Sequence, residues 1–208
     1  MVTDPPDPFE PAATVLPAGS QIYRVTTNKL DRQPNDFNPG YGAATRFAFF
    51  RSPAGMVVPV LYGASNADVA VCETLLHRKP RRGGILLPAE YRDKLMVRFM
   101  LRRDLSLASF QGKGLWKLGI SAGDLTDTSS TEYDRTVRWA AAASAAGFDG
   151  CVWTSRKCNT GNAYVFFGTA VSPLDLEQDP DFAVLFAAGK GLDWLIRFGT
   201  DTGVEVRI

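Results

Sequence analysis

The sequence predicts an α+β domain, and three observations carry that reading. Runs rich in Val, Ile, Phe and Tyr come first, a helical segment follows, and further strand-like runs surround a second, clearer helix. The chain has 208 residues, which at roughly 150 per domain makes one domain with a core of its own. Hydrophobic residues at 45% and charged residues at 22% are ordinary globular values and exclude wholesale disorder.

Taken in order, residues 1–20 carry five prolines (Pro5, Pro6, Pro8, Pro11, Pro17) and read as an extended arm laid over a domain of residues 21–208. Gln21 to Val25 is the first strand, β-prone residues following Gly19. Asn35 to Ala44 is a loop dense in Asn, Pro and Gly, of the kind that lets a ligand approach the backbone. Arg46 to Phe50 reads as a short strand and Val57 to Tyr62 as a buried one. Ser65, with Asp68 three residues on, caps a helix that runs to about His77, with Glu73 in the middle of its apolar stripes. After the break Lys79-Pro80-Arg81-Arg82-Gly83-Gly84, Leu95 to Leu101 is a strand, and Leu115 to Leu118 a short segment at the domain edge. The clearest helix spans Thr131 to Ala146, capped by Ser130 or Thr131, with Glu132 and Asp134 on its positive end and Gly147 at its stop. Asp149 to Ser155 and Asn162 to Phe167 are consecutive strands around the turn RKCNTG. The tail, residues 171–208, reads as a short helix at Asp181 to Ala188 and two strands, WLIRF and VEVRI.

Composition excludes several function classes. With 23 basic and 22 acidic residues the net charge is +1, which gives no surface for tracking a nucleic-acid backbone. One histidine, His77, rules out His-rich zinc chemistry, and no metal site is expected. Cys72, Cys151 and Cys158 are odd in number and lack a C-x-x-C pair, which fits core or loop thiols in a reducing cytoplasm. The N-terminus has no signal-peptide pattern, and the longest apolar stretch is too short to span a bilayer. No G-x-G-x-x-G follows a strand, so a dehydrogenase-type dinucleotide site is not supported, and Gly112-Lys113-Gly114 is too short for a P-loop.

The polar residues that sit oddly for a pure scaffold are Arg24 within a strand, Arg46 before the Phe47–Phe50 run, Tyr62 at the end of a buried strand and Glu73 in a greasy helix. Ser155 and Asn162 bracket a loop between two apolar strands. Singly, each has a structural account: a solvated strand arginine, a helix-forming Glu, a half-buried Tyr, a turn-capping Ser.

As an ordered set they resemble the RES domain, named for an Arg, a Glu and a Ser. The resemblance rests on Ile22-Tyr23-Arg24-Val25, on Thr45-Arg46-Phe47, and on Val60 to Ser65 leading to Glu73 eleven residues beyond Tyr62. It continues through Arg138-x-x-Ala141, Gly147-Phe148-Asp149-Gly150, Thr154-Ser155-Arg156 and Asn162-x-x-Val165-Phe166, and covers residues 21–170. Ala48 departs from the pattern, since many members carry Asn or a similar polar residue there. The resemblance implies an ADP-ribosyltransferase-like fold of mixed or antiparallel sheets with flanking helices. It also implies an NAD-consuming toxin of an Xre-RES toxin–antitoxin module, restrained by a helix-turn-helix antitoxin that makes any DNA contact. NAD is then substrate rather than cofactor, with inorganic phosphate or water as acceptor. Transfer of ADP-ribose to a protein and a non-catalytic NAD-binding module are the alternatives.

On that resemblance Glu73, Arg24 and Ser155 are the catalytic set, and Arg24, Arg46, Tyr62, Ser155 and Asn162 bind NAD. The residue chemistry agrees. Arginine is suited to bidentate contact with a pyrophosphate. A buried carboxylate stabilises the positive charge that develops on a ribose as its glycosidic bond breaks. Nicotinamide leaves as the neutral base of a cation, so no general acid, and hence no histidine, is required. His77, one turn past Glu73, is either a neighbour that tunes the acid or a plain helix-end residue.

Overall fold

A computed structural model describes residues 2–80 and 82–208. Its centre is an eight-stranded mixed sheet in the order β1-β6-β7-β8-β3-β2-β5-β9. The strands are β1 (Ala13–Leu16), β2 (Gln21–Thr27), β3 (Val60–Ala64), β5 (Lys94–Leu101), β6 (Leu105–Ser109), β7 (Gly150–Thr154), β8 (Asn162–Phe167) and β9 (Leu176–Leu185). Only β6 and β7 run parallel; the other neighbours are antiparallel. A separate parallel pair joins β4 (Gly84–Leu86) to β10 (Val204–Val206). Helices α1 (Ala67–Thr74), α2 (Pro88–Tyr91), α3 (Lys113–Lys117), α4 (Ala122–Leu125), α5 (Tyr133–Ala145) and α6 (Gly189–Thr202) flank the sheet. The expected α+β class is borne out.

Strand alternation divides the core in two. Val25, Val60, Ala64, Cys151, Trp153, Ala163, Val165 and Phe167 point to one face and pack with α1 and α5. Ile22, Leu61, Val97, Phe99, Val152, Tyr164 and Phe166 point to the other face and form a second cluster. The sheet is not continuous throughout. β2 and β3 share the single register pair Tyr23–Ala64, and beyond it Asn38 takes the place beside Val60, exchanging backbone bonds of 2.8 and 3.0 Å.

Several expectations are corrected. The proline-rich arm ends in strand β1, paired with β6, so only its first part is irregular. That part does lie over the domain: Val2 is 3% exposed, the Trp139 indole donates to Thr3 O at 2.8 Å and Arg138 pairs with Asp4. The arm's Met1 and the Arg81 of the predicted break lie outside the described residues. Arg46 to Phe50 is not a strand: Thr45 and Ala48 close a tight turn on each other's backbone. The strand expected at Val57 starts at Val60, because Pro59 has no N–H to give to a ladder.

Helix α1 is capped by Asn66, whose Oδ1 accepts from Val69 N at 2.9 Å, and it ends at Thr74; Ser65 instead accepts from Asn162 N. Helix α5 starts at Tyr133 because residues 130–132 form a 3₁₀ turn, and Gly147 beyond it adopts φ +83° as expected of a helix stop. In the tail, helix and strand are exchanged: Asp181 to Leu185 completes β9, and WLIRF lies within α6. A five-residue apolar run fits either period. Here Gly191, Leu195 and Gly199 recur at helical spacing, and Trp194 stacks on Phe198 at 5.1 Å.

Candidate active site

Five elements meet on the α1 face of the sheet: the end of α1, the Thr45–Ala48 turn, β3, the start of α5 and the loop after β7. Ser155 follows β7 directly and is 1% exposed, its backbone N–H donating to Gly161 O at 3.0 Å across the hairpin. Gly161 is required there, since a Cβ would fall 2.7 Å from the Asn66 and Ser65 side chains at the head of α1. With its backbone fixed, Ser155 Oγ donates to Glu73 Oε1 at 2.6 Å and accepts from Cys158 N at 3.1 Å. Two residues 82 positions apart thus hold one carboxylate, whose side chain remains 23% exposed.

Arg46 enters from the tight turn and is 7% exposed. Its Nη1 donates to Leu125 O at 3.2 Å and to Thr128 Oγ1, its Nη2 to Thr128 O at 3.3 Å, and its guanidinium lies 5.4 Å from the Tyr133 ring centre. Burial lowers its pKa, while Tyr133, Glu73 and Tyr62 pull the other way. Thr136 Oγ1 donates to Arg46 O, so α5 grips the same residue through its backbone. Arg156, next to Ser155, pairs with Asp127 at 2.8 Å and also reaches Thr128 O.

The Tyr62 hydroxyl pairs with Thr45 Oγ1 at 2.8 Å and accepts from Phe47 N at 3.2 Å, and burial raises its pKa. Tyr62 therefore shapes the turn that presents Arg46. Ala48, the departure from the family pattern, is 1% exposed within the apolar cluster of this face.

Of the residues expected from the sequence, Arg46, Tyr62, Glu73 and Ser155 come together. Arg24 and Asn162 stand apart from that group. Asn162 begins β8 and exchanges both backbone bonds with Ser65, its N–H reaching Ser65 Oγ and its carbonyl accepting from Ser65 N, each at 2.9 Å. Arg24 shares its strand face with Ile22 rather than with Tyr23 and Val25, and lies next to the opening between β2 and β3. Its Nη1 is buried without a hydrogen-bond partner. Burial lowers its pKa to about 10, with Asp36 pulling the other way and Arg32 adding to the fall.

The sequence marks no role for Thr128, Thr136 or Tyr133, and Arg156 enters only within the Thr154-Ser155-Arg156 motif. Nothing in a Thr-Asp-Thr-Ser-Ser run marks one hydroxyl as the seat of a guanidinium. Among the described residues no group of three or more His, Cys, Asp or Glu side chains is arranged to hold a metal ion, and no helix is long and apolar enough to cross a membrane.

The RES domain family model matches residues 21–186, four fifths of the chain. The chain belongs to the RES domain family. The match reaches through β9, farther than the motifs quoted above. A chain in the crystal structure of the M. tuberculosis MbcT-MbcA toxin-antitoxin complex is similar in fold, with a TM-score of 0.54 at 15% identity over 82% of this chain and 85% of that one. No curated protein matches the chain.

Proposed function

We propose that this RES domain cleaves the nicotinamide–ribose bond of NAD, by phosphorolysis or hydrolysis, and that the activity makes it a toxin. The observation that carries the reading is the Glu73 carboxylate, fixed by Ser155 at 2.6 Å and left partly open within the field of the Arg46 guanidinium. In the reaction the C1′–N bond breaks, its electron pair goes to the pyridinium nitrogen, and nicotinamide leaves neutral. The ribose then carries an oxocarbenium-like charge, which the Glu73 carboxylate stabilises. An oxygen of phosphate, or of water with loss of a proton, attacks C1′.

Arg24 lies on the strand face opposite Glu73, so it would reach the dinucleotide through the opening between β2 and β3, where its unmet Nη1 is the donor that a phosphate oxygen would satisfy. Arg46 acts through its positive field, because its Nη donors already serve Leu125 and Thr128. Tyr62 offers its ring to the nicotinamide, since its hydroxyl is committed to the turn. Asn162 acts from the second layer, by fixing the head of α1 against β8.

The crystal structure similar in fold is that of a toxin-antitoxin complex. An Xre-like helix-turn-helix protein that covers Glu73 is the corresponding partner proposed here. The test is purified protein incubated with NAD, with and without inorganic phosphate, the products resolved by mass spectrometry. Nicotinamide with ADP-ribose, or with its 1″-phosphate when phosphate is present, is expected. ADP-ribose fixed on a protein would replace degradation by transfer, and intact NAD would sink the reading.

A further inference from the structure

The chain's one imidazole sits against the carboxylate that carries the proposed chemistry. His77 lies one helical turn beyond Glu73, just past the end of α1. Its Nδ1 is 4.0 Å from Glu73 Oε2, and its Nε2 lies 3.2 Å from the Tyr133 hydroxyl. Tyr133 opens α5 and carries Arg46 over its ring. Glu73 Oε1 meanwhile accepts from Ser155. The carboxylate is therefore flanked at both oxygens, and the imidazole is tied to the helix on which Arg46 rests.

We propose that His77 is a positioning residue for Glu73: neutral, it braces the Oε2 side against Tyr133; protonated, it pairs with Oε2, draws charge away from the substrate and silences the site in acid. The proposal rests on the reading of Glu73 as the group that faces the ribose.

The groups facing His77 from each neighbouring element set when the proton arrives. Glu73 comes from α1 and Arg78 from the turn after it, Arg46 from the tight turn before β3, Lys157 from the loop after β7, and Tyr133 from α5. Partial burial of a ring still 40% exposed, followed by the three cations, lowers the imidazole pKa below its ordinary 6.5, and Glu73 alone among the acids opposes them. At neutral pH the ring is uncharged, and it takes up its proton only as pH falls through a value below 6.5.

A chain with one histidine gives one imidazole C2–H resonance, so its titration can be followed by NMR without assignment. The wild-type midpoint is expected below 6.5, and lower still in Glu73→Gln, which removes the charge that raises it. Nicotinamide release is then measured against pH for wild type, His77→Gln and His77→Ala. The wild-type kcat is expected to fall in acid at the NMR midpoint. His77→Gln, an amide that still reaches Tyr133 and cannot be protonated there, shifts that limb to lower pH with little change in KM. His77→Ala loses more kcat than His77→Gln across the whole range. A midpoint unmoved by Glu73→Gln, or an acid limb unmoved by His77→Gln, overturns the proposal. A midpoint that moves as expected while NAD stays intact supports the coupling and overturns the NAD reading alone.

Discussion

Arg46 is a buried arginine and Arg24 a half-buried one with its Nη1 out of water, and the protein treats them in opposite ways. Arg46 has a carbonyl or hydroxyl on both terminal nitrogens, an aromatic ring beneath it and its own carbonyl held by Thr136. Arg24, beside the opening between β2 and β3, keeps Nη1 out of water with no partner. A buried donor left unmet costs about 1–3 kcal/mol, more when charged, so the fold carries a burden at Arg24 that it avoids at Arg46. The proposed NAD reading accounts for that difference: Arg46 would build the wall, and the unmet Arg24 donor would be met by a phosphate oxygen.

The contrast can be broken or sharpened by substitution. The largest stability effect is expected from Arg46→Ala, which strands Thr128 and Leu125 around an empty volume. Thermal or urea unfolding should show a loss of about 2–5 kcal/mol, from the cavity left behind and the acceptors left without a donor. Arg24→Met should do the reverse. Stability holds or rises by about 1 kcal/mol as an unpaired buried charge disappears, while KM for NAD increases. If Arg24→Met destabilises as much as Arg46→Ala, the two arginines do the same job and the contrast is wrong.

Ser155→Ala removes one hydrogen bond from Glu73 and one from Cys158 N. A stability loss of about 1–2 kcal/mol is expected, with kcat reduced about tenfold as the carboxylate loosens. Thr128→Val, which takes away the hydroxyl under Arg46 but leaves the Thr128 carbonyl, should cost least, about 1 kcal/mol. A Thr128→Val loss equal to that of Arg46→Ala would mean that the hydroxyl, rather than the whole cage, seats the guanidinium.

The same contrast shows what was legible in the sequence. Strands β2, β3, β5, β7 and β8 are continuous apolar or β-branched runs and were readable from composition alone. Strands β1, β6 and β9 were not, because they are an arm segment, a small-residue run and an edge strand with Pro180, each short of local signal. At the site, motif order identified Glu73, Ser155, Arg46 and Tyr62, and the structure brings these four together. The partners that decide their roles come from far along the chain: Thr128 lies 82 residues from Arg46, and Tyr133 lies 56 from His77. Parity along β2 groups Arg24 with Ile22 rather than Val25, but parity does not say which face holds Glu73; the helices packed on the sheet decide that.

Glu73→Gln is the most direct test of the account, because it removes the charge at nearly constant shape and keeps an acceptor for Ser155. Nicotinamide release from NAD should fall by about 10²-fold or more, with the unfolding midpoint little changed. Wild-type rates of release from a folded Glu73→Gln protein would contradict the account at its centre.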